Sequence, residues 1–309
     1  MQQWIIILLE LSPLVLGGVV AVGVWLATRR HGTSLSGRAG VLAAIGGLVP
    51  VVVSCLYSVV GVTPQLLAPM GLDVNIGFME AQFVIPLAAG LVALVMVCVP
   101  GCRNPSASAA DIARRTAFTF LSAGWTVALM AIVVVTIALS LAAGLASVPD
   151  QAGRYTMFSV QIGTMRVGTT IYGWYYSIPA MFLLMMLIGT AWAGLALIAR
   201  PPLGDARDQD AAVRRTRSRN IAALTTGAIA FHLAAILGSL AGTSSLRSGL
   251  PTDTAGVISV GSPFAALGSF LNASSIVVTC LGAALCLSVA LTAVPRTARA
   301  RQATIKTAP

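Results

Sequence analysis

Residues 171–220 read IYGWYYSIPAMFLLMMLIGTAWAGLALIARPPLGDARDQDAAVRRTRSRN, and the order of residue types in this stretch decides the fold. It opens on an aromatic cluster of Tyr172, Trp174, Tyr175 and Tyr176. It continues as an apolar run to Ala199 and ends in a segment dense in arginine. Aromatic rings favour the headgroup level, about 20 apolar residues cross the hydrocarbon core, and short arginine-rich segments stay on the cytoplasmic side. One membrane crossing, with its outer and inner anchors, is therefore written here in order.

Working outward, the composition requires more crossings. Of 309 residues, 57% are hydrophobic and 9% charged, and the mean hydropathy is +0.90. A soluble domain carries about 25% charged residues. A chain this poor in charge needs the bilayer to cover its surface. Seven apolar runs are long enough to span, at 3–27, 39–62, 81–100, 116–146, 173–199, 220–242 and 264–294. The expected fold is all-α, a polytopic seven-helix bundle. Residues 1–294 make a single transmembrane domain and 295–309 a basic tail. The fourth and seventh runs exceed the roughly 20 residues needed, so they should tilt or extend into an interface. Met1-Gln2-Gln3-Trp4 lacks the basic start of a cleavable signal, so the first run is expected to remain a span.

Basic residues orient the bundle. Arg29, Arg30 and Arg38 fall in the first loop, Arg103, Arg114 and Arg115 in the third, and six arginines from Arg200 to Arg219 in the fifth. Arg296, Arg299, Arg301 and Lys306 lie in the tail. That is sixteen, against only Arg154, Arg166 and Arg247 in the even loops. The positive-inside rule places the N-terminus outside and the C-terminus in the cytoplasm. It also accounts for the formal charge of +10 without nucleic acid, which is not an expected partner. Trp4 and Trp174 at outer ends and Trp25 at an inner end agree with this orientation. The Ala/Val/Gly/Leu richness and eighteen arginines to one lysine fit the inner membrane of a high-GC bacterium.

Pro13, Pro50, Pro86 and Pro179 fall inside runs and should kink them; Pro263 falls where a helix starts. Gly238 and Gly242 form a GxxxG, a candidate helix-packing face, and Gly40 with Ala44 makes a looser pair. Residues 63–80 are apolar enough to lie along the interface. Alternation in residues 158–167 around Gly163-Thr164 predicts a β-hairpin outside the membrane, and residues 243–263 read as an irregular loop. Cys55, Cys98, Cys102, Cys280 and Cys286 form no CxxC and are expected as small apolar filler.

Charge within a span is the usual pointer to function. Glu10 lies about a third of the way into the first run and His232 near the middle of the sixth, while Glu80 sits at the outer mouth of the third. Glu10 and His232 form the candidate intramembrane polar site: facing one cavity, they would handle protons or a cation. Otherwise Glu10 reaches the interface and His232 bonds a neighbouring helix. Asn272 and Tyr57 could line the same space. Several chemistries are excluded. Seven spans with an outside N-terminus is also the rhodopsin topology, but a retinal Schiff base needs a lysine in a span, and the one lysine is Lys306. Haem held between helices needs paired histidines, yet His31 is in a loop. No metal-ligand cluster and no P-loop is present, so no cofactor is expected.

The acidic cluster Asp205, Asp208 and Asp210 is the one feature that points to a lipid-substrate enzyme, through Mg²⁺. Its setting among arginines favours a solvated loop or short helix, with the arginines lying on anionic headgroups. An enzyme is therefore the least favoured class. The leading expectation is a transport-related protein, either a small permease or the membrane subunit of a transporter. Its rival is a non-catalytic scaffold or regulatory subunit. The partners foreseen are the bilayer and a membrane or extracytoplasmic protein.

Overall fold

The computed structural model describes residues 2–28, 33–62, 81–99, 116, 119–162, 165–199, 207–252 and 256–295. Seven α-helices account for most of them: α1 Gln2–Thr28, α2 Gly37–Val62, α3 Ile85–Cys98, α4 Ala123–Leu145, α5 Trp174–Ala199, α6 Arg207–Ser244 and α7 Gly268–Leu291. Six of the seven are long and apolar enough to cross a membrane, and α3 is a shorter apolar helix. Large apolar side chains on their outward faces, such as Phe182, Met185 and Phe270, are 67 to 71% exposed. Water would not tolerate so many; lipid does. The chain is an integral membrane protein with a mostly helical fold.

The bundle is built around α6. In α1 and α7 only 22% of the spanning window is buried, whereas in α6 it is 89%. Every residue from 220 to 234 is buried, and α6 packs on α2, α3, α4, α5 and α7. A helix enclosed on all sides needs small residues where neighbours cross. Gly227 of α6 and Gly282 of α7 supply one crossing, each facing the other's carbonyl so closely that a Cβ would stand 3.1 Å from it. Gly90 of α3 meets Ala228 of α6 at another. The GxxxG face lies elsewhere: Gly238 and Gly242 are exposed, with only Ser275 near Gly238 and open space beside Gly242.

Several boundaries depart from expectation. The sixth run does not begin at 220, because α6 extends back to Arg207 as one helix of 38 residues, about 57 Å long. Asp208 and Asp210 in its first turn and arginines later match the helix dipole, so the charged segment continues the helix instead of looping. The fourth run shortens to the 23 residues of α4, since residues 119–122 turn before it, and the seventh begins with a 3₁₀ turn, Ala265–Leu267. Pro86 kinks nothing: it occupies the first turn of α3, where a missing N–H costs no bond. Pro13, Pro50 and Pro179 are interior, in α1, α2 and α5. The expectation for residues 63–80 falls outside the described residues, as do those for Cys102, Lys306 and Asp205.

Two β units cap one end. The predicted hairpin is present: β2 (Tyr155–Ile162) pairs antiparallel with β3 (Met165–Thr170), Ile162 opposite Met165, and β1 (Val148–Pro149) adds a short edge. Residues 243–263 are not an irregular loop. They hold a second hairpin, β4 (Arg247–Thr252) with β5 (Gly256–Gly261). Its strands, RSGLPT and GVISVG, carry too much Ser, Gly and Pro for composition to reveal them. Since α4 runs into β1 and α6 into β4, both units lie at the same end, and Phe158 meets Phe264 edge-on at 5.6 Å. The turn after β1 is fixed by Asp150. Its carboxylate accepts from the N–H groups of Ala152 and Arg154 at 2.8 and 2.9 Å, and Gly153 supplies φ +76°. Those backbone bonds, with Arg154 beside it, hold the Asp150 carboxyl below its ordinary range.

Candidate functional site

The described polar groups gather at two levels of α6. At the strand end, His232 is 1% exposed. Its Nδ1 lies 2.8 Å from the carbonyl of Phe83, in the turn just ahead of α3. A carbonyl only accepts, so Nδ1 carries the proton, and Nε2 is left to accept from the Tyr172 hydroxyl at 3.4 Å. Ser140 of α4 lies beside Tyr172 and donates its hydroxyl to the carbonyl of Thr136 at 2.7 Å. Phe83 packs between the tilted rings of Tyr172 and Tyr176, with ring centres 4.6 and 5.1 Å away. Burial pushes the Tyr172 phenol up to about 12, so the ring stays neutral and donates. Phe83 is free to accept because it precedes the first helical turn, and Pro86 two residues into that turn fixes where the turn starts.

Glu10 is placed apart from this cluster. It is exposed near the start of α1, with no hydrogen bond or ion pair among the described residues, while His232 is sealed inside the bundle. The histidine's three companions, Tyr172, Phe83 and Ser140, come from chain segments that sequence spacing does not relate. Tyr57, another cavity candidate, bonds Gln82 at 3.0 Å. Buried hydroxyls of Ser177, Ser218 and Thr226 have no partner among the described residues. The described residues contain no group of three or more metal-ligating side chains.

At the other end, the α6 arginines divide into two pairs. Arg214 is 8% exposed, pairs with Asp210 at 2.8 Å, and donates to the Ile198 carbonyl at the end of α5 at 3.1 Å. Arg217 donates to the Val99 carbonyl that closes α3, at 3.2 Å. Each puts a cation at a helix C-terminus, where the last carbonyls are unsatisfied and the dipole is negative. Thr216 meets Thr33 at 2.6 Å, and Asn220 donates to Thr292 beyond α7 at 2.8 Å. This half of α6 therefore ties together the ends of α3, α5 and α7 and the approach to α2. The expectation that all four arginines lie on headgroups holds at most for the outward pair, because Arg214 and Arg217 face inward. Arg215 and Arg219 are exposed and line a cleft of about 330 Å³ with Thr119, Phe120, Leu121, Ser122 and Trp125. Asp210, engaged by Arg214, is committed to an ion pair, as its setting among arginines suggested.

Comparison of this chain with protein-family models, with characterised proteins and with solved structures finds no match. The functional reading therefore rests on the chain's own geometry.

Proposed function

We propose that this chain is a seven-span membrane protein that works as the membrane subunit of a larger assembly, with its N-terminus outside and its C-terminus in the cytoplasm. The orientation follows from the arginine distribution. The third crossing is made by α3 together with the turn ahead of it, since 14 helical residues alone reach only about 21 Å. A bacterial inner membrane fits the excess of arginine over lysine.

Glu10 carries the subunit reading. It is exposed about 12 Å along α1 from the helix start, on the stripe that continues into buried Leu14, Gly17 and Ala21. A carboxylate on a lipid-facing surface is expensive unless a partner or the interface receives it. A second polypeptide packed on this face would supply a donor, and the exposed Gly238 and Gly242 offer a close approach on another face. A self-contained permease is the second reading, favoured by the buried His232–Tyr172 pair, titratable groups enclosed within the bundle.

Purification in mild detergent from the native membrane tests both. The subunit reading expects a companion at fixed ratio that is lost from Glu10→Gln protein of normal abundance. A lone chain, unchanged by Glu10→Gln, would overturn it. Proton-coupled flux abolished by His232→Gln in that lone chain would favour the permease.

A further inference from the structure

We propose that the cleft between the start of α4 and the arginine-bearing half of α6 binds an anionic phosphate group. Arg215 and Arg219 are four residues apart on one helical face, so both guanidinium groups are presented to the same opening. Neither has a hydrogen-bond or ion-pair partner among the described residues, whereas Arg214 and Arg217 beside them are both engaged. Two unneutralised cations held side by side repel, and a dianion or monoanion between them removes that cost. Guanidinium groups match phosphate oxygens in fork geometry.

The opposite wall suits the same ligand. Ser122 precedes α4 without capping it through its side chain; its carbonyl takes the Trp125 N–H at 3.0 Å, and the Ala123 and Gly124 N–H groups, with no bond among the described residues, leave the positive end of the α4 dipole at the cleft. Two contacts hold this wall: the Thr116 N–H donates to the Thr119 hydroxyl at 2.9 Å, and Arg214 lies 5.8 Å over the Phe120 ring. Trp125 and Leu121 add an apolar side, which fits a headgroup whose acyl chains run down the bundle. The shared chemistry is a phosphate with net negative charge, carried by an acidic phospholipid or by a soluble phosphoanion.

The test is a titration of the purified full chain in detergent, read by thermal unfolding. Phosphatidylglycerol in mixed micelles should stabilise the protein saturably, and phosphatidylcholine, whose choline neutralises the phosphate, should not. Arg215→Gln with Arg219→Gln should weaken the apparent affinity by about 10- to 30-fold, given roughly 1 kcal/mol per basic contact. Arg247→Gln, an exposed arginine at the strand end, should leave it unchanged. The Arg215→Lys, Arg219→Lys pair keeps the charge and should bind with intermediate affinity, which covers a failure of the glutamine pair to fold. Stabilisation by millimolar inorganic phosphate would assign the site to a soluble anion; a response to phosphatidylglycerol alone would assign it to lipid. Equal stabilisation by phosphatidylcholine, or an unchanged affinity in the double variants, would overturn the proposal.

Discussion

The two ends of α6 solve the same problem by different chemistry. At the strand end a neutral histidine and a neutral phenol satisfy one another and a stray carbonyl, inside a jacket of aromatic rings. At the arginine end full charges do the equivalent work, with Arg214 and Arg217 closing α5 and α3. The difference follows from access to water. A buried imidazole needs no counter-ion, whereas a guanidinium keeps its charge everywhere and is affordable only near headgroups or against an acid such as Asp210. The neutral cluster should therefore be intolerant of truncation and indifferent to salt, and the charged one the reverse in degree.

The sharpest break is His232→Ala. It leaves the Phe83 carbonyl unpaired and opens a cavity among Tyr172, Phe83 and the helices around them. About 3 kcal/mol of stability should be lost. Unfolding of the detergent-solubilised protein measures it, and a loss under about 1 kcal/mol would mean that the cluster does not anchor α3.

Arg214→Ala comes next. It removes charge-assisted hydrogen bonds to Ile198 and Asp210, worth about 2 kcal/mol together, since Asp210 is near enough to water to recover part of the loss. The same variant should lose part of its sensitivity to ionic strength. If Arg214→Ala proved costlier than His232→Ala, the ranking of the two ends would be inverted.

A pH titration sharpens the reading of the neutral end. The Tyr172 phenol is raised from its ordinary 10 to about 12, so the fold favours the protonated ring. That contribution is complete below pH 10 and is lost as pH rises through about 12. Tyr172→Phe should reduce the loss of stability along the alkaline limb while lowering the plateau slightly. An alkaline limb undiminished in Tyr172→Phe would assign the effect to another group.

Legibility in the sequence differed along the same axis. The membrane class, the helical runs and the first hairpin are carried by composition and local alternation, which need no tertiary contact to be seen. Helix ends were harder. Nothing in the order of residues 207–219 marks that segment as continuous with the span, because its stability comes from bonds to Ile198, Val99 and Thr33, all distant in sequence. The second hairpin was hidden by Ser, Gly and Pro. His232 was visible as a polar residue in a span, but its partners Phe83 and Tyr172 lie 149 and 60 residues away, and no spacing rule connects them. Arg214, Arg215, Arg217 and Arg219 looked alike as a run. Helical periodicity applied to that run would have separated an inward from an outward pair, had the helix been extended back through it.

That separation yields the smallest expected effect and the cleanest contrast. Arg215→Ala changes an exposed side chain with no hydrogen-bond or ion-pair partner among the described residues, so the stability of the lipid-free protein should move by less than about 0.5 kcal/mol. Its neighbour Arg214, one residue away and of identical chemistry, should cost several times as much. Adjacent positions on a helix point about 100° apart, and here that angle is the difference between closing α5 and facing a cleft. Comparing Arg214→Ala with Arg215→Ala in stripped detergent, then again with phosphatidylglycerol added, separates the two roles. The first variant should be weak in both conditions, the second only where the added lipid has something to gain. A substantial loss from Arg215→Ala without lipid would mean that Arg215, like Arg214, closes part of the bundle.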